Sequence, residues 1–122
     1  MERAGFAAEV AERVGHPKVG VSFNLCHWLK LEGDKDWRLF LGKHAERTFA
    51  VTLNGATTTA RDWGEGLVLP LDQGDFDTSE LLVVLADIGY RAQVGLMCYS
   101  IPGDPRTRLS RSMKWWRALH LE

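Results

Sequence analysis

An amide, a thiol and an imidazole close the apolar run Val19-Gly20-Val21-Ser22-Phe23-Asn24-Leu25-Cys26-His27. Val, Phe and Leu fill a pleated surface well, so residues 19–25 read as a buried strand. Asn24 and His27 then fall where that strand emerges at its carboxyl end, the end at which parallel α/β sheets hold their ligands. Asn54 closes a second run of the same kind, Phe49-Ala50-Val51-Thr52-Leu53-Asn54. Two readings stand for Asn24 and Asn54. Either they bind substrate, or they satisfy backbone groups at strand ends, as asparagine often does. His27 is a hydrogen-bonded strand-end residue, a polar site residue or a metal ligand. Asp72, Asp75 and Asp77 form a carboxylate cluster suited to acid/base work, although Asp77 also has the place of a helix cap.

The thiols are less promising. Cys26 and Cys98 are the only cysteines, both lie in apolar strand-like runs, and no CxxC pair exists. Buried, reduced thiols are the expected state, as in a cytosolic protein. Cys26, beside His27, is the one with an adjacent basic partner. His16, His44 and His120 stand beside expected helix ends and read as surface residues.

Composition sets the outer limits. With 122 residues, the chain is expected to be a single domain over residues 1–122. A formal net charge of −1 and a pI near 6.4 argue against nucleic-acid binding by general electrostatic attraction. The basic stretch Arg106, Arg108, Arg111, Lys114 and Arg117 reads as a solvated helix face. No apolar run approaches the ~20 residues that span a membrane, and the amino terminus has no signal-peptide pattern. A cytoplasmic protein with no nucleic-acid or membrane partner is the expectation.

Elements alternate along the chain. Phe6, Val10 and Val14, with Ala7 and Ala11 beside them, predict an apolar helix face closed by Gly15, with Pro17 just beyond. Trp37, Phe40, Leu41 and His44 follow at helical spacing after Asp36, a plausible cap. Residues 49–54 form the second strand. The long segment 56–74 resists assignment except for a short strand at 67–69, and loops of this length are more often functional than idle. Asp77-Thr78-Ser79-Glu80 has the form of a capping box. It opens a helix whose core face is Leu81, Leu82, Leu85 and Ile88, stopped by Gly89. Residues 94–99 form the third main strand. Asp104-Pro105 opens the last helix, with Leu109, Met113, Trp116 and Leu119 on one face. Trp115 falls beside that face, at an edge or toward a partner. Strands separated by helices imply parallel pairing through right-handed crossovers, and apolar strands want cover on both faces.

In order and spacing these segments resemble a known family. From about Pro17 to Leu119 the chain is similar to the carboxyl-terminal half of the xylose-isomerase-like barrels, the sugar phosphate isomerases and epimerases. The matching landmarks are Gly20-Val21-Ser22-Phe23-Asn24-Leu25-Cys26-His27 and Phe49-Ala50-Val51-Thr52-Leu53-Asn54-Gly55-Ala56. Pro70-Leu71-Asp72-Gln73-Gly74-Asp75-Phe76-Asp77, Asp87-Ile88-Gly89-Tyr90 and Gly95-Leu96-Met97-Cys98-Tyr99 follow. The tail runs from Gly103-Asp104-Pro105 through Ser112-Met113-Lys114-Trp115-Trp116-Arg117. The resemblance implies an α/β, parallel-stranded partial (β/α)8 TIM barrel, the C-terminal half only, holding the last four strand–helix units.

It also implies a divalent metal (Mn, Mg or Zn) that polarises sugar oxygens while carboxylates move a proton between neighbouring carbons. By position His27 takes the family's strand-five His, whereas Asn24 stands where that strand has Asp. Thr52 and Asn54 replace the His and Asp of strand six, Met97 replaces the last strand's Glu, and a strand-four Glu would lie before Met1. An amide carries no charge and a thioether is a poor partner for hard cations, so metal binding is expected to be weak or absent. The implied function is a sugar or sugar phosphate isomerase/epimerase-like protein. The alternative is a non-catalytic binding or scaffold module, or a gene fragment of such a barrel. Four strands would leave two edges and an uncovered inner face, predicting exposed Val, Leu and Phe side chains and self-association.

Overall fold

Two helical crossovers link three parallel strands. The structure, a computed structural model, describes residues 3–119. Helix α1 (Ala4–Val14) leads into β1 (Val21–Asn24), and α2 (Leu25–Glu32) and α3 (Trp37–Lys43) carry the chain across to β2 (Thr48–Leu53). A long loop and α4 (Thr78–Asp87) lead to β3 (Val94–Leu96), and α5 (Pro105–Ala118) follows. The sheet order is β1-β2-β3 with both pairs parallel, as helical crossovers require.

Local chemistry explains most helix ends. The Asp36 carboxylate accepts the Arg38 N–H at 2.9 Å, Asp77 that of Glu80 at 3.0 Å, and Asp104 that of Thr107 at 2.8 Å. Helix α1 has no side-chain cap of its own. Instead the buried Glu32 carboxylate reaches from the end of α2 to the Ala4 N–H at 2.8 Å. An anion there also meets the positive end of the helix dipole. Gly15 ends α1 in the left-handed region at φ 66°, as expected.

Two helix faces differ from expectation. In α1 it is Ala8 and Ala11 that pack inward, while Phe6 and Val14 are each 55% exposed. Small side chains let the helix approach the sheet closely, which the larger residues would prevent. In α5 Leu109 is 51% exposed and the buried residue is Ser112. Its hydroxyl accepts the Leu71 N–H at 3.2 Å. Met113 lines a cavity against β3 with Trp116. Trp115, Trp116 and Leu119 pack partly buried against the core.

The strands have one apolar face. Val21 and Phe23 of β1, with Val51 and Leu53 of β2, are buried beneath Leu25, Trp28, Phe40, Leu41, Leu81 and Leu85. Phe23, Trp28 and Phe40 form an aromatic triangle with centroids 5.0–6.2 Å apart. Truncating such a core ring costs about 3–5 kcal/mol. The opposite face carries Ser22, Asn24, Ala50, Thr52 and Gly95, small or polar side chains that are partly or fully exposed. This corrects the expectation of Val, Leu and Phe on both faces. The large exception is Phe49, which the β1–β2 register skips between Val21↔Thr48 and Ser22↔Ala50. Its ring lies over Gly20, where a Cβ would come within 2.6 Å of it.

Segment lengths also differ. Residues 67–69 form no strand, only an isolated antiparallel bridge between Gly55 and Leu69, so the described residues hold three strands and not four. The first strand ends at Asn24, and Leu25, Cys26 and His27 begin α2. The third ends at Leu96, leaving Met97, Cys98 and Tyr99 in a loop. Cys98 is therefore exposed, contrary to expectation, while Cys26 is buried.

Candidate functional site

The carboxyl ends of the three strands gather the residues that sequence reasoning singled out, in roles that differ among them. Asn24 is the N-cap of α2. Its Oδ1 accepts the His27 N–H at 3.4 Å and the Cys26 thiol at 2.9 Å. Asn54 is fully buried, and its amide nitrogen donates to the carbonyls of Gly55 and Leu67, both at 2.7 Å. That pair of bonds pins the long loop to the end of β2. Its Oδ1 and the Thr52 hydroxyl are buried without hydrogen-bond partners. His27, in the first turn of α2, is partly exposed like Asn24, and it is the one of the three proposed binding residues that lines two depressions.

Two depressions share His27 as their dividing wall. The larger, about 370 Å³, is lined by Cys26, His27, Trp63, Val68, Met97 and Tyr99. The smaller, about 290 Å³, is lined by Arg3, Ala4, Ala7, Ser22, Asn24, His27 and Trp28. The larger has aromatic and apolar walls with few polar groups, the usual makeup of a small-molecule site. Burial pushes the Cys26 thiol above its ordinary value, so it stays protonated and weakly nucleophilic at neutral pH.

Trp63 reaches this cavity from a short 3-10 turn, Trp63–Glu65, in the long loop. Asp62 and Glu65 cap that turn reciprocally. Lys30 of α2 then clamps it, donating to the Arg61 carbonyl and the Asp62 carboxylate, both at 3.1 Å. The Lys30 ammonium lies 5.4 Å from the Trp63 ring centroid, and His27 meets the same ring edge-on at 5.2 Å. Trp63, Val68, Tyr99 and Lys30 were not foreseen as site residues. The available signal was a large aromatic in a glycine-flanked loop, Trp63-Gly64 after Asp62.

The carboxylate cluster serves the loop and not the cavity. Asp72 pairs with Arg111 of α5. Asp75 accepts the Thr58 N–H at 2.7 Å and hydroxyl at 3.0 Å, which hold its carboxyl below the usual value. Asp77 caps α4. Among the other histidines, His16 is exposed as expected. His44 is a correction: it is only 9% exposed, packed on Phe40, with Nδ1 3.3 Å from the Glu12 carboxylate. His120 lies outside the described residues.

The donor set does not suit a divalent metal. Among the described residues no three His, Cys, Asp or Glu side chains stand close enough together to hold one. The other donors that line the two depressions with His27 include an amide already used as a helix cap (Asn24), a buried thiol whose ionisation burial disfavours (Cys26) and a thioether (Met97). No helix among the described residues is long and apolar enough to cross a membrane.

Three parallel strands with helical crossovers and a pocket at their carboxyl ends define a parallel α/β protein, the class that includes the (β/α)8 barrels. The chain belongs to the xylose isomerase-like TIM barrel family, whose model matches residues 1–119. The solved xylose isomerase domain protein from Planctomyces limnophilus superposes with a TM-score of 0.65 at 22% identity. The match covers 97% of this chain and 41% of that one, so the chain spans well under half the length of its solved relative. At that identity the likeness speaks for the fold alone. No curated protein matches the chain.

Proposed function

We propose that this chain is a sugar-binding derivative of the isomerase/epimerase barrels, one that holds its ligand at the carboxyl ends of β1–β3 without a metal of its own. The observation that carries this reading is the cavity between His27, Trp63 and Met97. It sits where parallel barrels bind ligands, yet it is lined by one imidazole and otherwise neutral side chains. An imidazole can hydrogen-bond a hydroxyl as donor or acceptor. Moving a proton between neighbouring carbons requires a base at the carbon and polarisation of the adjacent oxygen. His27 supplies an imidazole, and the Cys26 thiol and Tyr99 phenol are the other ionisable groups of the lining, which holds no carboxylate, ammonium or guanidinium. The non-catalytic reading is favoured over the isomerase reading by this pairing of a formed pocket with missing charge.

Two measurements on the purified chain test it. Saturation-transfer NMR with neutral and phosphorylated monosaccharides is expected to show binding. Incubation of the same sugars in D2O, with and without Mn2+, is expected to show no exchange of carbon-bound hydrogen. Protein-dependent exchange would refute the non-catalytic reading. Absence of any sugar contact would refute the binding reading.

A further inference from the structure

We infer that Trp63 is the platform on which the ligand stacks, and that the Trp63 cavity selects a neutral sugar over its phosphate ester. This deepens the binding reading above and rests on it.

Four observations meet here. Trp63 is 49% exposed although it is a large aromatic, so one part of its surface faces solvent and the cavity. It is nevertheless held in place. The Lys30 ammonium lies near its ring and bonds to Asp62 and the Arg61 carbonyl, while the Asp62–Glu65 capping box fixes the turn beneath it. A rigid exposed aromatic loses little entropy when a ligand covers it. Tyr99 and Met97 form other walls of the same cavity, and His27 stands edge-on to the indole.

The chemistry of the lining selects the ligand class. The C–H groups on one side of a sugar ring make an apolar, weakly positive face, which complements the negative face of an indole. Hydroxyls at the ring edge then meet the His27 imidazole. None of the six lining residues carries a fixed positive charge, and the Lys30 ammonium is already paired. A phosphate dianion placed in this cavity would lose water without gaining a cation, which is strongly unfavourable. An alternative cation is offered by the neighbouring depression, which shares His27 and is lined in part by Arg3. A phosphorylated ligand would have to extend past the imidazole to reach it.

The test uses the full chain and the indole N–H signals in 1H–15N NMR, with Trp63 assigned through Trp63→Phe. D-Fructose and D-fructose 6-phosphate serve as probes. The neutral sugar is expected to shift the Trp63 signal. Trp63→Ala is expected to weaken binding about five- to tenfold, with Trp63→Phe retaining most of it, on the scale of one aromatic contact. Tighter binding of the phosphate ester, reversed by Arg3→Ala, would overturn the neutral-ligand inference and leave sugar binding intact. Sugar binding that ignores Trp63→Ala would overturn the platform. If neither sugar perturbs any signal, the binding reading itself fails.

Discussion

Replacing Asn24 by Ala separates a capping residue from a ligand-binding one. The Asn24 side chain accepts two bonds, from the His27 N–H at 3.4 Å and from the Cys26 thiol at 2.9 Å. Loss of an N-cap costs about 1 kcal/mol, within a range of about 0.5–2. Leaving the buried thiol without an acceptor adds a few tenths, because S–H is a weak donor. Asn24→Ala is therefore expected to destabilise the chain by about 1–2 kcal/mol. With a urea dependence of about 1.5 kcal/mol/M, the midpoint falls by roughly 0.7–1.3 M. Asn24→Asp keeps the cap and places a negative charge at the positive end of α2, so its midpoint should match the parent within about 0.5 kcal/mol at neutral pH. Urea unfolding followed by circular dichroism, with sugar titrations on the same samples, reads both effects. An Asn24→Ala protein with the parent midpoint and no sugar binding would refute the capping argument and return Asn24 to the ligand shell.

Three further outcomes follow from the same geometry. Calorimetry with Mn2+, Mg2+ or Zn2+ should find no one-to-one site tighter than about 10 μM; such a site, lost in His27→Ala, would show that the donor analysis is wrong. The Asp75 carboxyl is held down by Thr58, so its folded value lies below the unfolded value of about 3.9. Its contribution is present above that value and is lost as the pH falls through the folded one; Asp75→Asn should flatten the acid limb of stability against pH, and an unchanged limb would discount the Thr58 bonds. The unpaired outer edges of β1 and β3 should make the isolated chain self-associate. A concentration-independent 13.7 kDa mass by light scattering would remove that expectation.

What was legible in the sequence was mostly local. Asp36, Asp77 and Asp104 announce helix starts because a carboxylate before a helical pattern satisfies orphan N–H groups within three residues. Asn24 does the same, yet it sits inside an unbroken apolar run. The change from period 2 to period 3.6 at Leu25 is hidden because Leu25, Cys26 and Trp28 are apolar in both readings. The inward face of α1 was misread for another reason. Whether Ala8 and Ala11 or Phe6 and Val14 turn inward depends on how closely the helix must approach the sheet, which is a property of the assembled fold. Trp63 and Tyr99 reach the cavity only after two loops fold. One is held by Asn54 bonding Leu67 and by Lys30 bonding Arg61 and Asp62, contacts between residues 13 to 32 positions apart. No window along the chain contains that information.

On the reading proposed above, the residues that the resemblance sets at the family's ligand positions are consistent with one another on physical grounds. A cluster of carboxylates and imidazoles is stable around a dication because the ion compensates their charge. Without the ion, carboxylates brought together under aromatic walls would repel one another and lose hydration, a cost of several kcal/mol. On the proposed metal-free reading, discharging the ligand positions that the chain retains removes that cost. Asn24, Thr52, Asn54 and Met97 do that at four positions. Asn24 takes on helix capping and Met97 takes on apolar contact in the cavity, while the Thr52 hydroxyl is left buried without a partner. His27 is the exception, and its imidazole can serve a ligand as hydrogen-bond donor or acceptor. On this reading the pocket is a rebuilt neutral site and not a metal centre with pieces missing. Restoring a single charge, such as Met97→Glu, would strain it, and metal binding would return only when several ligands are restored together.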